Sequence, residues 1–169
     1  MIVTIDGSNL NTIGVINSKT AQNTTSGTAI DFTGIPAGVK RITVMFNGVS
    51  TNGSSIVQVQ VGAGSIQAAG YVCGCGIQGN ANNTGLNTYT TGFAIQGNTA
   101  SDLRYGAYTL YNISANTWVC SGTSYNTTAP YSCETNGVVT LSGTLDRLRL
   151  TTVNGTDVFD AGSVNILYE

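Results

Sequence analysis

The sequence predicts an all-β protein, an antiparallel β-sandwich or jelly-roll-like single domain that spans residues 1–169. The 22 glycines are spread along the chain with Thr, Val and Ile between them, a composition typical of strands and turns. Turn signals such as Asn47-Gly48 recur roughly every 8–12 residues. No window places apolar residues three and four apart among good helix formers.

The strands of this sandwich are predicted where apolar or alternating segments lie between turn signals. In order along the chain they are Ile2–Ile5, Thr28–Phe32, Lys40–Asn47, Ile56–Val61, Gly70–Ile77, Thr88–Ile95, Tyr105–Ile113, Thr117–Ser121, Gly137–Leu141, Leu145–Thr152 and Ser163–Tyr168. Residues 1–27 are polar and Asn-rich, with one brief apolar segment at Ile13–Ile16. We expect them to form an edge strand or an N-terminal arm.

The third predicted strand has two distinct faces. Pro36 precedes it and Asn47-Gly48 ends it. Because strand side chains alternate, Ile42, Val44 and Phe46 should line the core. The alternate residues Arg41, Thr43 and Met45 should then face solvent or a second subunit.

A similar pattern returns near the C-terminus, where Leu148 and Leu150 should point inward. Arg147 and Arg149 alternate with them and should point outward. Two interpretations stay open. These arginines lie on a solvated face, or the two arginine-bearing strands pair in one sheet, with Asp146 or Asp31 as counter-ions.

The composition excludes several functional classes. Only 8% of residues are charged, against about 25% in a typical domain, and the net charge is −2. The six scattered Lys and Arg residues make no phosphate-binding track, so we expect no nucleic-acid partner. No apolar run approaches the roughly 18 residues of a membrane helix, so we expect no membrane insertion. The absence of histidine removes the commonest general base and argues against an enzyme.

The N-terminal residues show no basic start followed by an apolar stretch. We therefore expect no secretory signal and synthesis in a cytoplasm.

Two blocks of sequence carry a family likeness. Residues 30–53 read IDFTGIPAGVKRITVMFNGVSTNG, and residues 140–169 read TLSGTLDRLRLTTVNGTDVFDAGSVNILYE. Both blocks resemble the C-terminal domain of bacteriophage and prophage tail-fibre proteins. The resemblance implies a virion structural protein made in the host cytoplasm, with other virion proteins as partners. It also implies a homo-oligomer, which we expect to be a trimer.

We therefore expect a non-enzymatic tail-fibre or spike-tip module that contacts a host-surface polysaccharide or protein. The alternative is a capsid decoration or head-fibre protein bound to the phage shell. Two further classes fit the sequence less well. A secreted lectin would need a signal peptide, and a polysaccharide depolymerase would need a carboxylate pair around a sugar cleft.

The middle of the chain, residues 62–137, is the predicted recognition region because loops on a stiff β scaffold commonly make contacts. Tyrosine and tryptophan anchor many interfaces and sugar sites. The predicted contact residues are Trp118, Tyr125, Tyr131, Asn126 and Tyr89. Tyr125 and Tyr131 are preferred because the segment SGTSYNTTAPYSCE has the composition of a loop. The strand pattern instead assigns Tyr105, Tyr108 and Tyr111 to core or inter-subunit packing.

The four cysteines allow three interpretations. They are buried free thiols, disulfides or a zinc site, of which the zinc site fits the spacing least. A disulfide could join Cys120 to Cys133 around the segment between them, or tie Cys73 and Cys75 to those two. Cys73 and Cys75 lie two residues apart and should face the same side of one strand.

Asp157 and Asp160 lie close to Asn154 in a turn. They fit turn capping better than a calcium site, because their spacing matches no known calcium loop. We expect no metal and no cofactor.

Overall fold

The computed structural model describes residues 16–79, 84–97, 99–128 and 130–169. Within these residues every regular element is a strand. The strands are β1 (Asn17–Ser18), β2 (Gln22–Asn23), β3 (Ala29–Thr33), β4 (Arg41–Thr51), β5 (Val57–Ala63), β6 (Ser65–Ile66), β7 (Val72–Gly79), β8 (Thr84–Tyr89), β9 (Phe93–Ile95), β10 (Arg104–Ser114), β11 (Thr117–Asn126), β12 (Tyr131–Thr140), β13 (Arg147–Thr152) and β14 (Phe159–Tyr168).

The strands form two antiparallel sheets. The nine-stranded sheet has the order β1-β14-β4-β10-β11-β12-β7-β8, and β2 also pairs with β14. The five-stranded sheet has the order β3-β13-β5-β6, and β9 also pairs with β5. The predicted all-β antiparallel sandwich is therefore confirmed. None of the residues in the described ranges lies in a helix able to cross a membrane.

The core lies between the two sheets and is built by the alternation that the sequence predicts. Ile42, Val44 and Phe46 on β4 are buried, and so are Leu148 and Leu150 on β13. Two edge-to-face ring pairs add directional packing. Phe46 lies 5.3 Å from Tyr108 and Tyr71 lies 5.1 Å from Phe93, measured between ring centroids.

The two arginine-bearing strands do not pair, because β4 belongs to the nine-stranded sheet and β13 to the five-stranded sheet. For the arginines of β13 the predicted counter-ions are the observed ones, whereas Arg41 on β4 pairs with Glu169. Arg149 lies directly opposite Asp31 on β3 and donates two hydrogen bonds to its carboxylate, each 2.7 Å long. Arg147 donates to Asp146 at 2.8 and 3.0 Å.

The described part of the N-terminal segment runs along β14. Strands β1 and β2 each pair with it, and the buried Thr24 hydroxyl donates to the Ala161 carbonyl at 2.6 Å. The predicted strand Ile2–Ile5 and the start of the predicted arm lie outside the described residues.

The predicted strand Thr88–Ile95 is wrong as a single element. Strand β8 ends at Tyr89 in one sheet, and β9 begins at Phe93 in the other. The chain crosses between the sheets at Gly92, where a Cβ atom would lie 2.7 Å from the Gln58 Oε1 atom. The close approach of Gln58 therefore favours glycine at this crossing.

The segment predicted as a contact loop is largely a hairpin of two long strands, because β11 runs to Asn126 and β12 starts at Tyr131. The alternation of apolar and polar residues that marks a strand is not visible in this part of the sequence, because several inward positions carry small or polar residues. At Gly122 a Cβ atom would lie 2.5 Å from the ring of Tyr108, so the tyrosine fills the space a side chain would take. Ser124 and Asn126 also point inward and are buried.

One disulfide joins Cys75 on β7 to Cys133 on β12, and the predicted bridge between Cys120 and Cys133 does not form. Cys120 lies opposite Gly137, four residues further along β12 than Cys133, which separates the two by about 13 Å. Such a gap is too wide for a disulfide. Cys73 and Cys120 are free, and both are buried.

Candidate functional site

The side of the nine-stranded sheet that faces away from the core, here called the outer face, has very little charge. Residues 42–101 contain no charged side chain at all. Five strands of this sheet, β7, β8, β10, β11 and β12, contain two charged residues. Arg104 is buried and Glu134 is exposed. The outer face of these five strands therefore presents uncharged groups around a single carboxylate.

Two exposed aromatic side chains lie together on this face. Tyr105 on β10 is directly opposite Tyr125 on β11, and the two residues are 38% and 46% exposed. Directly opposite residues have Cβ atoms about 5 Å apart, so the two side chains leave the sheet side by side. We call these two residues the tyrosine pair.

Buried polar anchors hold the strands behind the tyrosine pair. Arg104 and Asn126 are the next directly opposite residues, and both point inward and are buried. The Arg104 guanidinium donates to the carbonyls of Gly97 at 2.8 Å and Asp102 at 3.2 Å. Burial lowers the pKa of Arg104. These hydrogen bonds tie the start of β10 to the residues that precede it, and Asn126 ties the end of β11 to Tyr131 on β12.

Tyr105 also packs against the neighbouring strand β4. At Gly48 a Cβ atom would lie 3.2 Å from the Tyr105 hydroxyl, and Gly48 has a φ of +65°. Both its conformation and its contact favour glycine at this position.

A depression of about 280 Å³ lies beside the tyrosine pair on the same sheet. It is lined by Gly76, Ile77, Gln78, Thr123, Ser132, Cys133 and Glu134. This depression is near the lower limit of typical ligand pockets, roughly 300 Å³.

The strand register explains the depression and its neighbours. One row across the sheet runs from Tyr125 to Ser132 and Gln78. The adjacent row runs from Thr123 through Glu134 and Gly76 to Leu86. Gly76 has no side chain, so it leaves a gap between the carboxylate on one side and the exposed Leu86 on the other.

The Glu134 carboxylate is free to bind a ligand. No described residue donates a hydrogen bond to it or forms an ion pair with it. Beside it are the hydroxyls of Thr123 and Ser132 and the amide of Gln78, which can both donate and accept hydrogen bonds. The depression therefore offers hydrogen bonds of both kinds next to an aromatic surface.

The five predicted contact residues do not form one site. Tyr125 is exposed, but Tyr131 and Asn126 are buried, and the Asn126 amide donates to the Tyr131 hydroxyl at 2.9 Å. Burial raises the pKa of Tyr131. Tyr89 is half-buried and its hydroxyl accepts from Gln96 at 2.8 Å. The predicted surface position of Tyr131 and Asn126 is wrong, because both point inward from the β11–β12 hairpin.

Trp118 is also buried, and it lies at the opposite end of β11, about 23 Å from Tyr125 along the strand. There it lines a smaller cleft of about 160 Å³ with Lys40, Asn112 and Leu145. The Lys40 ammonium donates to the Asn112 side chain at 2.9 Å, which holds it in this cleft.

A row of apolar side chains crosses the outer face near the end of β11 that carries Trp118. Tyr111, Val119, Val138 and Val72 lie directly opposite one another on four consecutive strands. Tyr111 is 43% exposed and Val72 is 70% exposed. We call these four residues the apolar row.

Asp157 serves as a turn cap. Its carboxylate accepts a hydrogen bond from the Ser55 backbone N–H at 2.8 Å and another from the Asn154 amide at 2.6 Å. It therefore ties two neighbouring turns together as predicted, whereas Asp160 lies on β14 and caps no turn.

Four members of the candidate site were not predicted from the sequence: Tyr105, Glu134, Gln78 and Gly76. Tyr105 lies on a strand and was assigned to packing. Glu134 did carry a signal, because it is the only charged residue between Arg104 and Asp146. Gln78 and Gly76 are brought to the site only by the pairing of β7 with β12.

Comparisons with protein-family models, curated proteins and solved structures found no match to this chain. The likeness to tail-fibre domains therefore remains a prediction from the two sequence blocks.

Proposed function

We propose that this protein is a non-enzymatic structural component of a bacteriophage virion, a tail-fibre or spike-tip module that contacts the host surface. The contact is made by the tyrosine pair and the depression beside it. The observation that carries this proposal is the pair of exposed tyrosines on a nearly uncharged antiparallel sheet. Tyrosine offers a large contact area with little loss of conformational entropy.

The arrangement of the two family-like blocks supports this role. Block 30–53 contributes β4 and most of β3, and block 140–169 contributes β13 and β14. In the structure β4 pairs with β14 and β3 pairs with β13. The blocks thus build one continuous part of the sandwich, and the dissimilar middle supplies the tyrosine pair. A common scaffold with an exchangeable contact region suits recognition of different hosts.

The apolar row supports assembly into a homo-oligomer, for which we propose a trimer. Its four residues present a continuous apolar strip on a face that has little charge to oppose close contact. Burial of such a strip against other copies is favourable in proportion to its apolar area. The row lies at the other end of the face from the tyrosine pair, so assembly through it leaves the contact site open.

Two measurements test this role. Antibodies against the protein should label the tail or fibre tips of virions in the electron microscope. Labelling of the capsid would favour the alternative, a decoration or head-fibre protein. Purified protein should also bind cells of the host strain, and binding should fall when the tyrosine pair is replaced. A protein that labels no part of the virion and binds no host cell would contradict the proposal.

A further inference from the structure

We infer that the depression beside the tyrosine pair binds an uncharged saccharide unit and that Glu134 selects against acidic sugars. This inference rests on the proposed role in host contact and names the chemical class of the ligand.

The shape and lining of the depression favour a sugar ring. Its volume of about 280 Å³ suits one small unit rather than a drug-sized ligand. Its lining combines a carboxylate, an amide and two hydroxyls, from Glu134, Gln78, Thr123 and Ser132. These groups can accept from and donate to the hydroxyls of a sugar, which are themselves donors and acceptors.

The aromatic neighbour supplies the apolar half of such a site. Tyr125 is directly opposite Ser132, which lines the depression, and its ring is exposed on the same face. A saccharide has an apolar C–H face that can lie against an aromatic ring while its hydroxyls reach polar groups at the side. Leu86, which is 75% exposed, borders the depression across Gly76.

The electrostatics distinguish between sugars. Glu134 is the sole exposed charge on the five strands around the depression, and no described residue neutralises it. A carboxylate accepts strong hydrogen bonds from neutral hydroxyls but repels a second carboxylate. A neutral sugar should therefore bind, and a uronic or sialic acid should be disfavoured.

A cationic protein side chain is the main competing ligand, and the structure favours it less. A single solvent-exposed ion pair with Glu134 would strengthen binding by no more than about fivefold. The remaining lining groups, Gln78, Thr123 and Ser132, are uncharged and would gain little from an ammonium or guanidinium group. Salt dependence separates the two ligands, because screening weakens binding of a cation but not of a neutral sugar.

The two glycines of β7 offer a matched pair of variants. A Cβ atom at Gly76 would meet no atom closer than the Glu134 carbonyl oxygen at 3.9 Å, so Gly76→Val should fold and should fill the depression. Gly74 lies two residues away on the same strand face, where a Cβ atom would meet Leu86 at 3.8 Å. Gly74→Val is the control, since Gly74 is not part of the lining.

The first measurement uses arrays of neutral and acidic oligosaccharides, followed by calorimetry on those that bind. We expect neutral oligosaccharides to bind at low and high ionic strength alike. Gly76→Val and Tyr125→Ala should weaken this binding about tenfold, the loss of one good contact, while Gly74→Val should not. Glu134→Gln should strengthen binding of acidic oligosaccharides about fivefold relative to neutral ones.

The second measurement separates this inference from the proposed role. Host cells are treated with periodate, which cleaves sugar diols, or with protease. If the tyrosine pair is needed for cell binding but only protease abolishes that binding, the host-contact role stands and the saccharide inference fails. Absence of any cell binding contradicts the role itself. Preference for acidic sugars, or full sugar binding by Gly76→Val, also overturns the inference.

Discussion

Tyr105 and Tyr125 lie directly opposite each other on β10 and β11, with both side chains exposed to solvent on the outer face. Tyr108 lies on β10 as well but points to the opposite face of the sheet. It is fully buried, and its hydroxyl donates to the Ala94 carbonyl at 2.9 Å. Alternation along one strand therefore gives neighbouring tyrosines two different roles.

We predict that Tyr125 contributes little to folding. Tyr125→Ala should change the free energy of unfolding by less than about 0.5 kcal/mol, the usual range for surface substitutions. Tyr108→Ala should destabilise by about 3–5 kcal/mol, because it opens a cavity in the core. Urea unfolding of both variants measures the difference. Equal losses of unfolding free energy in the two variants would show that Tyr125 is part of the core.

We predict that the oxidised protein contains a disulfide between Cys75 and Cys133, which lie 58 positions apart in the sequence. Peptide mapping under non-reducing conditions should find this crosslink. A crosslink between Cys120 and Cys133 would contradict the structure.

The same disulfide should stabilise the fold. Loop-closure entropy gives about 4 kcal/mol for this loop, so reduction should lower the free energy of unfolding by about that amount. The double variant Cys75→Ala/Cys133→Ala should unfold at the same urea concentration with and without reductant. The Cys120→Ala variant, which keeps the bridge, should still respond to reductant.

We predict a loss of stability at alkaline pH that depends on Tyr71. Burial raises the pKa of Tyr71 to about 12, above its ordinary value of 10.0. Between those two values the unfolded chain loses the proton while the folded protein keeps it. The stabilising contribution is therefore complete below pH 10 and is lost as the pH rises toward 12. Two pKa units correspond to about 2.7 kcal/mol.

Tyr71→Phe tests this assignment. The Val61 N–H donates to the Tyr71 hydroxyl at 2.8 Å, so the variant should lose about 1–3 kcal/mol at neutral pH. Its stability should then decline less steeply between pH 10 and 12 than that of the wild type. Burial also raises the pKa of Cys73 and Cys120, so part of the decline should remain. An unchanged slope would contradict the role of Tyr71.

We predict that the apolar row mediates assembly. Light scattering of the wild type should give three times the chain mass of 17.4 kDa. Val72→Glu combined with Tyr111→Glu should give single chains that remain folded, because both residues are exposed in the isolated chain. Leu86→Glu, which changes an exposed apolar residue outside the row, should keep the trimer. A monomeric wild type would contradict the proposed assembly.

Where side chains alternate clearly, as at Ile42, Val44 and Phe46, the sequence correctly predicted the strand and its buried face. The sequence did not predict the strand around Gly122. There the buried Tyr108 ring of the neighbouring strand fills the inward position, so no apolar residue marks that position in the sequence. The pairing of Cys75 with Cys133 depends on strand register, which the sequence does not encode locally. The candidate site depends on register as well, since Glu134 and Gly76 meet only across paired strands.

Binding of labelled protein to host cells decides whether the tyrosine pair is the contact surface. The double variant Tyr105→Ala/Tyr125→Ala is compared with Ile113→Ala, which removes a 61% exposed apolar side chain near the other end of β10. We expect the double variant to keep its stability and lose cell binding, while Ile113→Ala binds like the wild type. Undiminished binding by the folded double variant would show that the host contact lies elsewhere on the molecule.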